Sequence, residues 1–126
     1  MIKNDKKVVE ALKGLEKETF KNGARVKLLE ADFNLLPFAD QIKADLETDI
    51  MIGPHGAGLM HNIFMPKRAT LIELFIDGSA VNRHFHNLAF WSGHKYVGQP
   101  ISNPVDIPTV LKLVRKAVEE TDINAY

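Results

Sequence analysis

Short apolar runs alternate with amphipathic segments along most of this chain, and this order constrains its fold more than any other feature. Strands are predicted at 25–29, 49–53 and 70–76, with a short edge strand at 95–97. The intervening and flanking segments have helical spacing and cover residues 5–22, 38–46, 56–65, 82–91 and 107–118. Such an order predicts an α/β fold, a Rossmann-like parallel sheet of about four strands flanked by helices on both faces.

Composition narrows the class of protein. With 126 residues, 45% hydrophobic and 25% charged, the chain fits one globular domain over 1–126. Lys+Arg and Asp+Glu both total 16, which does not favour nucleic-acid binding. The absence of cysteine excludes disulfides and thiolate chemistry. No membrane-spanning run and no signal-peptide pattern are visible, so we expect a soluble chain whose compartment is undetermined.

A glycine-rich turn follows the second predicted strand and opens a helix. Its sequence is Gly53-Pro-His55-Gly56-Ala57-Gly58-Leu59. Glycine lets a ligand approach the backbone closely, and unpaired N–H groups at a helix start attract anions. His55 adds a donor at the mouth of the turn. The spacing differs from both the dinucleotide-binding and the P-loop patterns. The turn therefore predicts either an anion site or a tight structural connection.

Glu73 is the one charged residue within the apolar run Leu71-Ile72-Glu73-Leu74-Phe75. An unpaired buried carboxylate is costly, but at the carboxyl end of a strand it can meet a ligand crevice. Acids one strand–helix–strand step after a phosphate loop bind ribose in nucleotide-binding sheets. The sequence therefore favours ribose recognition by Glu73. A salt bridge to Lys67 or Arg68 is the alternative.

Other catalytic chemistries find little support. His55, His61, His84, His86 and His94 have no i, i+4 pair and no third ligand in register, so no metal site is expected. No serine lies in a G-x-S-x-G nucleophile turn.

Several segments resemble glycosyltransferase family 61. The central motif is His-Gly-Ala-Gly-Leu at 55–59, followed by Phe-Met-Pro at 64–66. Similar segments also occur at 38–42, 49–54, 71–75, 86–89 and 93–96. The resemblance covers about residues 25–98. Met60 departs from it, because threonine is common at that position in the family.

The resemblance implies the C-terminal, donor-binding half of a GT-B glycosyltransferase. It implies a UDP-sugar diphosphate over His55, Gly56, Ala57, Gly58 and Leu59, with the nucleoside near Glu73. It further implies inverting transfer to a hydroxyl of a glycan or protein acceptor, without metal or other cofactor. Members of the family usually act in the secretory pathway.

Two functions remain open at this stage. Because 126 residues cannot hold two Rossmann-like halves, the chain is expected to lack an N-terminal acceptor half and to be incomplete for catalysis alone. The alternative is a non-catalytic nucleotide-binding or assembly module that pairs with another chain or with a second copy. Exposure of Phe20, Phe33 or Phe90 would support that alternative.

Overall fold

The structure is a computed structural model that describes residues 2–30, 37–54, 57–76 and 84–124. Its elements in chain order are α1 (Asp5–Gly14), α2 (Phe38–Leu46), β1 (Ile50–Pro54), a 3₁₀ helix (Ala57–Phe64), β2 (Thr70–Ile76), α3 (His84–Trp91), β3 (Lys95–Ile101) and α4 (Ile107–Glu120). We call the 3₁₀ helix Ala57–Phe64 the loop helix. Within these ranges, no helix has the length and apolar character that a bilayer crossing requires.

Three parallel strands form the sheet, in the order β1-β2-β3. Gly53 of β1 lies opposite Glu73 of β2, which in turn lies opposite Gly98 of β3. The α/β class and the parallel sheet are therefore confirmed. The expected fourth strand at 25–29 is not confirmed, because within the described residues Arg25 makes only an isolated antiparallel bridge to Thr19.

The segment 24–29 is extended but forms no ladder with β1. Its residues alternate between half-buried (Ala24, Val26, Leu28) and exposed (Arg25, Lys27, Leu29), as in a strand with one covered face. The amide of Leu28 donates to the Glu16 carboxylate at 2.8 Å. Because a side chain satisfies this amide, it does not need a neighbouring strand as partner.

The first helix is shorter than predicted. It ends at Gly14 and continues as a single 3₁₀ turn, Leu15–Lys17. The expected stop at Asn22-Gly23 instead belongs to a reverse turn, in which Gly23 has a φ of +83° and its amide donates to the Phe20 carbonyl. Asn22-Gly23 therefore marks a reverse turn and not the end of a helix.

One face of the sheet carries most of the hydrophobic core. The residues of β1 and β2 that face this side include Ile50, Ile52, Ile72 and Leu74, and they pack against α1 and α4. The helices contribute Val8, Leu12, Val110, Val114 and Val118. Apart from Thr70 of β2, the buried residues of this α1–α4 face are apolar, and they anchor the sheet.

The opposite face is covered by the loop helix and α3, with α2 packed against the loop helix. Its main apolar cluster is small and contains Leu59, Leu71 and Ala89, with Met51 and Tyr96 partly buried beside them. Phe75, which follows Leu71 and Glu73 on the same side of β2, is also buried. Glu73 lies on this loop-helix face because residues two apart along a strand point the same way, and Leu71 is in that cluster.

Candidate functional site

The predicted loop lies at the carboxyl end of a parallel strand. β1 ends at Pro54 and the loop helix begins at Ala57, so the connection consists of His55 and Gly56, which lie outside the described residues. Ala57 and Gly58 belong to the first turn of the loop helix. The helix predicted over 56–65 is thus present as a 3₁₀ helix. The carboxyl edge is where open α/β sheets bind ligands.

Leu59 anchors the start of the loop helix to the sheet. Its side chain is buried, and a Cβ placed on Gly53 would lie 3.4 Å from its Cδ2 atom. The sequence assigned Leu59 to the ligand loop, but its side chain belongs to the core. Its contribution to any ligand contact must therefore come from its backbone.

Glu73 is fully buried and lies in the middle of β2 rather than at the carboxyl end of that strand. The hydroxyl of Tyr96 donates to Glu73 Oε1 at 2.5 Å. A hydrogen bond to a charged group of this kind offsets part of the cost of burying it. Its neighbours in register, Gly53 and Gly98, carry no side chains that could crowd the carboxylate.

The position of Tyr96 depends on Gly98 and His86. A Cβ on Gly98 would lie 3.0 Å from the Tyr96 hydroxyl oxygen and 3.1 Å from Phe75 Cε2, so the bare backbone there leaves room for the phenol. The His86 ring of α3 stacks on the Tyr96 ring, with centroids 4.6 Å apart. Glu73, Tyr96 and His86 thus form one cluster that joins β2, β3 and α3.

Arg68, one of the two alternative partners considered for Glu73, instead forms a bidentate ion pair with Asp49. Its Nε and Nη2 atoms donate to the two carboxylate oxygens of Asp49 at 2.7 and 3.1 Å. Asp49 and Arg68 lie just before β1 and β2, at the amino edge of the sheet. This pair fastens the edge opposite to the loop.

A buried acid–histidine pair joins α2 to the loop helix. Asp45 is 1% exposed, and its Oδ2 atom lies 2.5 Å from His61 Nδ1. Burial raises the pKa of Asp45 above the ordinary value of 3.8, while the hydrogen bond and the charge of His61 act in the opposite direction. Among the described residues, Asp45 Oδ1 has no hydrogen-bond partner. The carboxyl group is therefore held by His61 through one oxygen.

A second polar chain ties the loop helix to the turn after α3. The buried Asn62 side chain donates to the Leu59 carbonyl at 2.8 Å. Its Oδ1 atom therefore faces His94 Nδ1, at 3.3 Å, while His94 Nε2 lies 3.1 Å from the Met65 carbonyl. Within the described residues, four of the five buried polar side chains (Asp45, Asn62, Glu73, His94) surround the loop helix.

The described histidines have separate partners rather than one shared centre. His61 contacts Asp45, His86 stacks on Tyr96 and His94 contacts Asn62. No cluster of three potential metal-ligating side chains occurs in the described part of the chain. Asp45, Asn62 and Tyr96 were not predicted from the sequence to be functional residues. Asp45 follows Ile42 at helical spacing, and this spacing is the sequence signal from which the burial of Asp45 could have been predicted.

These features define an open α/β fold with a polar, loop-bearing face, and comparison with known proteins identifies its family. A family model described as glycosyltransferase 61 matches residues 1–72, more than half of the chain. The chain belongs to glycosyltransferase family 61. The match includes the loop and ends one residue before Glu73.

Individual relatives agree with this assignment. The EGF domain-specific O-linked N-acetylglucosamine transferase of Bos taurus is 36% identical over 96 residues, which cover 76% of this chain and 17% of the relative. The Rattus norvegicus protein of the same name is 39% identical over 74 residues, 59% of this chain and 13% of the relative. The Drosophila melanogaster protein of the same name is 46% identical over 43 residues, which cover 34% of this chain and 8% of the relative. The aligned part is thus a small fraction of each relative.

The first prediction concerns the hydrogen bond that holds Glu73. The substitution Tyr96→Phe keeps the ring and removes the hydroxyl, so we expect the free energy of unfolding to fall by about 1.5–3 kcal/mol in urea denaturation. Gly98→Ala should cost about 1–3 kcal/mol, because its methyl group would crowd Tyr96 and Phe75.

Gly14→Ala is the matched control, because nothing lies within 4 Å of a Cβ at this helical position. It should leave stability unchanged or raise it by up to about 1 kcal/mol. Equal stability of Tyr96→Phe and the parent protein would contradict the holding role of the hydroxyl.

The second prediction concerns the pH dependence that Asp45 imposes. Since its folded-state pKa is raised above 3.8, its protonation favours the folded state, and this stabilisation is lost as pH rises through the raised pKa. The free energy of unfolding of the parent minus that of Asp45→Asn should therefore decrease as pH rises above 3.8. Urea titrations at a series of pH values measure this difference.

His61→Ala provides the complementary variant for Asp45. It removes the hydrogen bond and the charge that lower the Asp45 pKa, so the decrease should extend to higher pH. A difference that stays flat from pH 4 to pH 8 would show that the burial of Asp45 has no such effect.

Proposed function

We propose that this chain is the donor-binding part of a glycosyltransferase that uses a UDP-sugar. The loop 55–59 holds the diphosphate, and Glu73 lies at the ribose. The observation that carries the proposal is the direct passage from β1, through two residues, into the loop helix at the carboxyl edge of a parallel sheet, within the segment matched to family 61. In such sheets this edge is the ligand edge.

The loop contributes backbone donors in this proposal. Amides at the start of the loop helix and the His55 side chain donate to the diphosphate oxygens, without any need for a lysine or arginine. Burial of Leu59 and the Asn62–His94 contact fix the helix behind the loop. Donors fixed in advance stabilise developing charge without reorganising during the reaction.

Glu73 accepts ribose hydroxyls in this proposal. An ionised carboxylate has about four lone-pair positions, so it can bind the Tyr96 hydroxyl and a ribose hydroxyl together. Because Glu73 is fully buried, the nucleoside must uncover it on binding. Tyr96 then keeps the Glu73 carboxylate oriented after the residues that bury Glu73 have moved aside.

The transfer follows from the charge that develops on the donor. An acceptor hydroxyl attacks the anomeric carbon on the face opposite the diphosphate, a new C–O bond forms, and the bond to the diphosphate oxygen breaks. The negative charge passes to the leaving diphosphate, where the loop amides stabilise it. The acceptor proton leaves to a base, and we assign that role to none of the residues named above.

The GT-B architecture and the fourth strand belong to the same proposal. In it, the chain corresponds to one Rossmann-like half, and residues 25–29, which form no ladder with β1 in the structure, move onto the outer edge of β1 and pair with it in parallel. The alternating burial of 24–29 supports this pairing. A groove of about 820 Å³ separates the segment from β1 and is lined by both. Closing the groove would pair the edge of β1, which otherwise remains open to other strands.

The third prediction tests the donor site. Isothermal titration calorimetry should show UDP binding with a Kd in the micromolar to millimolar range, roughly −8 to −4 kcal/mol. His55→Ala and Glu73→Gln should each weaken binding at least tenfold, because each removes a direct contact. UDP-sugars should bind where UDP binds and compete with it.

Glu119→Gln is the matched control for Glu73→Gln, since Glu119 is an exposed carboxylate on α4, on the other face of the sheet. It should bind UDP like the parent. No binding at millimolar UDP would overturn the donor role and favour a module that keeps the fold without a donor site.

The fourth prediction tests the additional strand. Amide exchange followed by NMR should show slow exchange at Arg25, Lys27 and Leu29, because an edge strand pairs alternate amides and the Leu28 amide is already bound by Glu16. β3 serves as the internal reference, because it is a strand whose described backbone pairing is with β2 on one side. Uniformly fast exchange over 25–29 would show that the sheet ends at β1.

A further inference from the structure

Large apolar side chains are exposed across the helices that cover the loop-helix face. We call these six residues the apolar strip, and they occur in pairs on α2, the loop helix and α3: Phe38 and Leu46, Met60 and Ile63, Phe90 and Trp91. Phe38, Phe90 and Trp91 are 70%, 74% and 75% exposed. Exposure on this scale, concentrated on one layer, marks an interaction surface rather than chance.

The arrangement of the helices makes the strip continuous. The loop helix contacts both α2 and α3 and therefore lies between them. Phe38 and Leu46 are the first and last residues of α2, and residues three apart in a 3₁₀ helix, such as Met60 and Ile63, are eclipsed. The strip thus has a central apolar pair and one apolar pair on either side.

The other helical layer shows the contrast. Among the described residues, neither α1 nor α4 carries an exposed large hydrophobic side chain. Phe20, considered from the sequence as a surface aromatic, is buried, and Phe33 lies outside the described residues. Phe90 is exposed, as that expectation required. Of the eight exposed large hydrophobic side chains among the described residues, six therefore lie on one layer, and the other two, Leu29 and Ile123, lie outside the helices.

The area of the strip matches what a homodimer needs. An aromatic side chain has about 150–250 Å² of surface, so its three aromatic residues together present roughly 300–550 Å². A stable interface takes about 800 Å² from each partner, and about 65% of a homodimer interface is apolar. The requirement is thus about 520 Å² of apolar surface per subunit, which the strip supplies once Leu46, Met60 and Ile63 are included.

We propose that the strip is the interface through which two copies of this chain form a two-fold symmetric dimer. A two-fold axis through the loop helix would bring α2 of one copy onto α3 of the other and pair the central residues with themselves. The exposed charged residues described on these helices, Asp40 and Lys43, both lie on α2 and have opposite signs. The pairing therefore brings no like charges together, and a chain of zero net charge adds little repulsion.

The experiment uses Trp91, the single tryptophan of the chain. Sedimentation equilibrium from 1 to 300 µM should show a mass twice that of the 14.1 kDa chain at the upper end. Over the same range, tryptophan emission should shift to shorter wavelength, because the exposed indole becomes buried on pairing.

Ile63→Glu and Phe90→Glu test the surface, and Leu29→Glu is the matched control, since Leu29 is 61% exposed but lies outside the strip. The two strip variants should be monomers with concentration-independent emission, and the control should dimerise like the parent. Far-UV circular dichroism verifies that each variant is folded.

A parent protein that stays monomeric to 300 µM would overturn the proposal, and so would a dimer that survives both strip variants. Assembly beyond two copies would overturn the two-fold arrangement. UDP binding is measured separately on the Phe90→Glu monomer, because Phe90 lies on α3 and not on the loop helix. Its loss or retention therefore reports on the donor site and not on the dimer.

Discussion

The structure depends on the parallel pairing of β2 with a strand on each side. This pairing buries β2 on both faces and at both edges, so the position of every residue on it is fixed by register. The register sets Glu73 in a row with Gly53 and Gly98, and Gly98 leaves room for the phenol of Tyr96 that donates to the carboxylate. The helices on both faces, and the loop at the carboxyl edge, are positioned relative to this strand.

The two faces of the sheet differ in the kind of contact that holds their helices. The α1–α4 face buries aliphatic side chains in one large cluster and contributes most of the hydrophobic stabilisation. The loop-helix face has a small apolar cluster, and its buried polar groups pair across elements, as Asp45 does with His61 and Asn62 with His94. Polar pairs are more directional than apolar contacts, so this face fixes the loop helix precisely while adding less stability.

Much of the framework could be predicted from local patterns. β1, β2 and α4 lie close to where periodicity placed them, because each buries apolar residues whose pattern is visible in the sequence. The helix α2 also lies where its pattern placed it, although Phe38 and Leu46 of that pattern are exposed. Glu73 was conspicuous as an acid within an apolar run. Its partner could not be predicted, because Tyr96 lies 23 residues later and reaches Glu73 only through the register of β2 with β3. Asp45 and His61 meet for a similar reason, across two helices.

The sequence by itself determined the α/β class, the alternation that makes the sheet parallel, and the family to which the chain belongs. These depend on short-range spacing and on a contiguous motif, which a linear chain carries without folding. Only the tertiary structure decided that residues 25–29 form no ladder with β1, that Glu73 is enclosed, and that six of the eight exposed large apolar side chains of the described residues lie on one layer. Each of these outcomes depends on contacts between residues that are far apart in the sequence. Such contacts to a backbone amide, a carboxylate or a surface exist only once the chain is folded.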